Sequence, residues 1–365
     1  MYIWYMRRIN KYGYLLVFII PISILASYYS TSVYNLYILP ILLFIVLPIV
    51  DPLVGTDNAN YSKEEIDVLK EENYYRIILH VWAITQTAMM CWFVYIFLHD
   101  EVSIHQFVLL LINTMIMNGG VGITIAHELG HKNNKFDKFL AKLLLVQVVY
   151  GTFYVEHNRG HHVHVATPKD PATAKKNQTY YAFWKQAVIG GFISSIKIER
   201  ERLAQRKQKS NLWTNEVYRL SIFSVLIFII CTLIGYYVLN QIPYSLLIFL
   251  TVQAFLSFSL LEAVDYIEHY GITRKEISAG VYEKVNPAHS WNANFIYSNY
   301  LLFQLQRHAD HHMYATKKYQ LLNSYDNSPQ LPNGYPAMVM YVLIPPLWFK
   351  IMNKRLEEWQ NKSDG

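Results

Sequence analysis

The chain has 365 residues, of which 53% are hydrophobic, 15% aromatic and only 16% charged. A soluble domain carries about 25% charged residues, so this composition excludes a disordered chain and argues against an ordinary soluble enzyme. The net charge of +6, at this hydrophobicity, points to lipid head groups or an acidic protein partner rather than nucleic acid. The two cysteines, Cys91 and Cys231, both lie in apolar runs. They cannot build a disulfide framework, a zinc ribbon or an iron–sulfur site.

Taken in chain order, apolar runs near the bilayer-spanning length of about 20 residues fall at 13–29, 33–54, 76–98, 104–126, 218–240 and 243–264. They predict six transmembrane helices. The first resembles a signal peptide in one respect, because Arg7, Arg8 and Lys11 precede it and Leu25-Ala26-Ser27 resembles a cleavage site. Its apolar stretch is longer than a typical signal core, and a second span follows after three residues. The short loops near 30–32, 99–103 and 241–242 hold no Lys or Arg, whereas 127–217 holds 15 of the 32 basic residues. The positive-inside rule then places both termini and the long loops 127–217 and 265–365 in the cytoplasm. Two further apolar stretches, 139–156 and 335–352, carry Lys142 or several prolines and read as interfacial. The run 182–209 begins with Phe183 and Trp184 and ends very basic, as does an amphipathic helix lying on a membrane. The predicted fold class is an all-α integral membrane protein, with residues 1–365 forming a single membrane-integrated catalytic domain.

Nine of the 14 histidines fall in four words on the predicted cytoplasmic side. His127 and His131 lie in AHELGHK, and His157, His161 and His162 in EHNRGHH. His269 lies in DYIEHYG, and His308, His311 and His312 in QRHADHH. Residues three or four apart on a helix share a face. The spacing therefore predicts that His127 points with His131, His157 with His161, and His308 with His311 and His312. Zinc takes about four ligands, so nine imidazoles suit two metal ions, and imidazole alone does not name the metal. Glu128, Glu156, Asp265, Glu268 and Asp310 are the nearby carboxylates, and Asn158 lies between ligands. A metal-bound His usually donates its other N–H to such a group. His80, His99, His105, His164 and His289 stand outside the set. Two other classes compete. His127-Glu128-Leu129-Gly130-His131 is a literal HExxH, the motif of zinc proteases with Glu as general base. That reading leaves seven clustered histidines idle. A metal transporter would line a path across the bilayer, whereas these histidines gather on one side.

HxxxH, HxxxHH and HxxHH, set in NGGVGITIAHELGHK, EHNRGHHVHVATPKDPA, EAVDYIEHYG and NYLLFQLQRHADHH, resemble the histidine boxes of the membrane di-iron alkane 1-monooxygenase family. That family is related to xylene monooxygenases and acyl desaturases. The His-Tyr-Gly word is the most discriminating, and the similarity covers about residues 50–355. Lys169, Ile272 and Ala309 depart from the family's usual residues, and none replaces a ligand. The resemblance implies terminal hydroxylation of medium- or long-chain n-alkanes to primary alcohols. It implies two non-haem iron ions held by the nine boxed histidines, with O2 as co-substrate. Xylene-type methyl groups and fatty acyl chains are the neighbouring alternatives. No bound flavin, haem or NAD is expected, so electrons must come from outside, from rubredoxin with a rubredoxin reductase. The basic residues Lys197, Arg200, Arg202, Arg206, Lys207 and Lys209, or Lys317 and Lys318, are candidate docking points for that acidic donor or for anionic membrane lipid. Residues that bind substrate are not identified. Asn118, Gly119, Gly120 and Gly122 suggest close approach of a helix or of a substrate chain. The implied location is the bacterial inner membrane.

Overall fold

Long apolar segments leave their backbone no partner in lipid except itself, so helices dominate. The computed structural model describes residues 11–363. Arg7, Arg8 and the first residues of the N-terminus lie outside the described residues. Among those described, five helices are long and apolar enough to cross a membrane. They are α2 (Val33–Val54), α4 (Tyr74–His99), α5 (Ile104–Gly130), α9 (Glu216–Leu239) and α10 (Tyr244–His269). This differs from the six spans expected, because the first apolar run forms a shorter helix, α1 (Tyr12–Tyr28). The Tyr12–Phe18 part of α1 is a 3-10 helix. Its steeper rise brings the whole element to about 29 Å, close to the thickness of a hydrocarbon core.

Two compact units divide the chain. The first runs up to Leu43 and adds Asn73–Tyr154 and Arg202–Leu260. The second takes Phe44–Glu72, Val155–Glu201 and the residues from Leu261.

In the first unit the helices begin where capping residues satisfy the first amides. Ser103 forms a capping box with Gln106 at α5, Asn134 caps α6 (Lys135–Gln147), and Asn215 caps α9. The small residues before the first histidine word act in packing. A Cβ at Gly119 would lie 2.5 Å from the Ser257 carbonyl oxygen of α10, and one at Gly122 would lie 2.1 Å from Gln86 Oε1 of α4. These glycines let α5 press against two neighbours. Buried amides tie the same helices together. Gln86 donates to Gln147 Oε1 (3.3 Å), Gln253 to the Gln147 carbonyl (3.0 Å), and Asn118 to Gln253 Oε1 (2.9 Å). Trp82 donates to Gln86 Oε1 (3.1 Å).

The second unit holds α3 (Lys63–Glu71), a helical turn at 152–164 termed α7, and most of α8 (Tyr180–Gln205). A small antiparallel hairpin follows, β1 (Glu276–Ser278) and β2 (Val281–Tyr282). Four helices complete it: α11 (Ile296–Leu301), α12 (His308–Met313), α13 (Tyr335–Val342) and α14 (Pro345–Ser363). Phe183, Ala187, Ser195 and Glu199 of α8 are buried at helical spacing. Tyr181, Ile189, Phe192 and Ile193 of the same helix are exposed. Asp51, near the end of α2, accepts the backbone N–H groups of Tyr297 (2.8 Å) and Ser298 (3.1 Å) and so caps α11. The segment that presents the last histidine word is fixed on both sides. Arg307 donates to the Leu322 carbonyl (2.6 Å), and Asn292 accepts the Ala309 N–H (2.9 Å) at the first turn of α12.

Candidate metal centre

The second unit gathers His161, His269, His308 and His312 from α7, α10 and α12. All four are buried, and their ligand nitrogens lie within 4.8 Å of one another. His312 Nε2 stands 2.8 Å from His308 Nε2, which stands 3.2 Å from His269 Nε2. Glu268 Oε2 lies 3.2 Å from the same His308 nitrogen. One ring nitrogen carries at most one proton, so it cannot serve all three neighbours as a donor. Lone pairs therefore face lone pairs, an arrangement that a cation stabilises. His161 adds a direct observation. Its Nδ1 lies 2.9 Å from Asp170 Oδ2, which sets the tautomer that leaves the lone pair on Nε2. That Nε2 is buried with no hydrogen-bond partner. Burial and the neighbouring imidazoles, His308 first, hold the His312 pKa well below its ordinary value, so the ring is neutral and able to ligate at neutral pH. Four imidazole nitrogen donors fit zinc, iron, copper or nickel.

A further set in the same unit comprises His157, His162 and His311. The Nε2 atoms of His162 and His157 are 3.0 Å apart, and those of His311 and His162 are 3.1 Å apart. In the first unit, His127 on the last turn of α5 and His131 just past its end are both buried, with ring centroids 4.9 Å apart.

The histidine words do not divide as simple helical spacing predicts. His157 groups with His162, five residues on, and His161 belongs to the other set. The cause is local: His157–His161 is a π turn in which the His162 N–H reaches the His157 carbonyl. A π turn stacks residue i+5 over residue i, where an α turn would bring i+4. In α12, His308 and His312 stay together at i+4, while His311 points with the other set. The second and fourth words thus each serve two donor groups.

The expected carboxylates take several roles. Glu268 approaches the metal-facing nitrogen of His308, not a rear one, and accepts from Tyr335 Oη (2.8 Å). Asp310 accepts from Lys317 Nζ (2.6 Å), Tyr325 Oη (2.6 Å) and the Asn323 N–H (2.9 Å), so it anchors the loop after α12. Glu128 pairs with Lys132 (2.6 Å) one turn on. Asp265 is buried, and Asn158 is half-buried. Glu156 is buried, and its position explains a glycine, since a Cβ at Gly160 would lie 2.5 Å from Glu156 Oε1. Burial, with Asp170 and Glu262 nearby, raises the Glu156 pKa well above the usual carboxylate range. Asp170, which orients His161, went unnoticed in the sequence. Its signal was the Thr-Pro-Lys-Asp-Pro turn just after the second histidine word. The histidines set aside have other partners. His80 lies 2.6 Å from Asp137, His105 2.9 Å from Tyr37 Oη, and His289 3.2 Å from Glu283. His99 stacks on Tyr95. His164 lies in neither donor group.

A fatty acid desaturase family model matches residues 103–342, a stretch that contains every histidine word. The alkane 1-monooxygenase of Acinetobacter baylyi is 37% identical over 97% of this chain and 87% of its own length. Alkane 1-monooxygenase 2 of Pseudomonas aeruginosa is 36% identical over 97% of this chain and 94% of its own. The chain belongs to the alkane 1-monooxygenase family. The hydroxylase component of the xylene/toluene monooxygenase of Pseudomonas putida is a more distant relative, 24% identical over 67% of this chain and 63% of its own. Within this family setting, the buried imidazole groups are metal-binding clusters of an integral membrane oxidoreductase.

Proposed function

We propose that the protein is a membrane di-iron monooxygenase that converts the terminal methyl of medium- or long-chain n-alkanes to a primary alcohol. The reaction takes one O2, two electrons and two protons, and releases one water with the alcohol. The buried tetrad His161, His269, His308 and His312 is the observation that carries this reading, together with relatives that bear the name alkane 1-monooxygenase. In this reading the tetrad holds one iron. His157, His162 and His311 serve the other, and His127 and His131 are the remaining expected ligands. Bound there, the two irons supply the O2 and C–H chemistry.

The chain's own residues orient and exclude. Asp170 fixes the His161 ring through Nδ1. Tyr335 braces Glu268, which sets its carboxyl group beside the imidazole tetrad. Recognition of a saturated chain rests on apolar shape, at about 0.8 kcal/mol per buried CH2. The chain works as one catalytic domain in the bacterial inner membrane, with six spans and with its termini and histidines on the cytoplasmic side. Rubredoxin, kept reduced by its reductase, supplies the electrons. The exposed basic end of α8, with Lys197, Arg206, Lys207 and Lys209, is its proposed docking point. Lys317 and Lys318 suit that role less well, because Lys317 holds Asp310 and Lys318 donates to the Lys70 carbonyl.

The xylene/toluene relative supports a second reading, in which aryl methyl groups are oxidised. Against a zinc-protease role for His127 and His131, the Glu128 carboxylate is engaged by Lys132 and not held ready as a base. The test is turnover of octane and of p-xylene by iron-loaded protein with reduced rubredoxin. 1-Octanol as the main product supports the proposal. A benzylic alcohol alone would move it to the second reading, and an alkene from an acyl thioester, with no alcohol from octane, would contradict both.

A further inference from the structure

The first unit carries an open groove of about 810 Å³ between α9 and α10, with Val149, just past the end of α6, at its edge. Its size falls within the range of about 300–1,000 Å³ usual for ligand pockets. Val225, Ile229, Leu233 and Phe255 along it are exposed, and Ala254 is buried. The groove contains three hydroxyl groups, and each is committed to a backbone carbonyl. Ser224 donates to Val146 (3.1 Å), Thr232 to Phe228 (2.7 Å) and Thr251 to Leu247 (2.8 Å). The groove therefore offers little but C–H surface. A head group or a peptide would find no partner in it, whereas a saturated chain needs none. Helix pairing within lipid relies on small residues or polar links; with its hydroxyls committed and Ser224 and Ala254 buried, the groove presents mainly aromatic and branched side chains to a second copy of the chain.

Two features connect the groove to the histidines of its own unit. Phe258, in its wall, stacks on Tyr150 with centroids 5.0 Å apart and planes at 17°. Tyr150 stacks on Phe153 (6.1 Å), and Phe153 lies 6.3 Å from the His127 ring. An unbroken row of aromatic faces thus runs from the groove to a proposed metal ligand. The second feature is Val149. Its N–H reaches the Val146 carbonyl, and the Tyr150 N–H reaches that of Leu145, the pattern of a helix end at which glycine is usual. Val149 holds φ +54° there, a conformation that its branched side chain resists. Its side chain is 44% exposed, so burial does not offset the strain. Such strain persists where it serves a site.

We propose that this groove is the entry site for the hydrocarbon substrate, which arrives from the bilayer and passes along the Phe258–Tyr150–Phe153 faces, with Val149 setting the width of the entrance. This inference rests on the proposed alkane oxidation, and its test is independent of turnover. The probe is dodecane carrying a diazirine. It is photolysed with iron-loaded protein in phosphatidylcholine nanodiscs without reductant, and the labelled residues are mapped by mass spectrometry. Labels should fall within 149–153 and 224–258 and be removed by unlabelled dodecane. Filling the groove with Leu233→Trp plus Ala254→Trp should cut labelling and raise KM for dodecane about tenfold, with kcat and iron content held. Val149→Gly should raise Tm slightly and keep iron, yet also shift chain-length preference, which a merely structural role would not do. Labels elsewhere would overturn the proposal. So would labels chased by phospholipid but not by dodecane, or a groove closed by contact between two copies. Groove labelling that dodecane removes, with no alcohol formed on turnover, would uphold the entry site and defeat the alkane reading instead.

Discussion

Two buried polar groups in this protein follow opposite rules. In the first unit the amides of Asn118, Gln86, Gln147 and Gln253 form a ladder in which each N–H donor named meets an oxygen. Its donors are met without a ligand, with only Asn118 Oδ1 left over, and the ladder fixes how α4, α5, α6 and α10 pack. In the second unit His161, His269, His308 and His312 bring nitrogen against nitrogen. Their burial costs free energy until something positive joins them. Donors met by oxygens mark structure, and nitrogen set against nitrogen marks a site. Counting buried polar residues would have missed the difference, and matching donors to acceptors exposes it.

The contrast can be broken or sharpened by substitution. The largest effect belongs to His312→Ala, which removes a tetrad donor. It should abolish metal binding at the tetrad and end hydroxylation, with metal per chain measured by mass spectrometry. Asp170→Asn is next. It leaves the four donors but loses the carboxylate that orients His161, and should weaken metal binding there about 10–100-fold, measured by competition with a chelator. Gln253→Ala tests the other side of the comparison. It should cost about 1–3 kcal/mol of stability, measured by thermal unfolding, and leave metal content unchanged. An amide variant that lost metal, or a tetrad variant that lost only stability, would erase the distinction. The smallest effect is Val149→Gly, which should gain about 1 kcal/mol by relieving the left-handed backbone, visible as a raised Tm.

Much of this was legible in the sequence, for identifiable reasons. The spans 33–54, 76–98 and 104–126 lie within a few residues of α2, α4 and α5, because bilayer thickness and capping residues such as Ser103 fix both ends. The four histidine words were legible because so many imidazoles rarely gather by chance. Their partition was not. The π turn at His157–His161 adds a residue to the local period, and nothing in EHNRGHH announces it. Asp170 escaped because it sits in a turn with no periodicity, and Asp310 misled because adjacency to His311 says nothing of direction. Its carboxylate faces Lys317 and Tyr325.

The central claim is that the imidazole groups hold a pair of irons. Mössbauer spectroscopy with metal analysis of anaerobically purified, 57Fe-grown protein tests it most directly. The account predicts about two irons per chain in nitrogen-rich high-spin ferrous sites, in keeping with about four or five donors for each. A single zinc, or a chain that folds and turns over without metal, would contradict it.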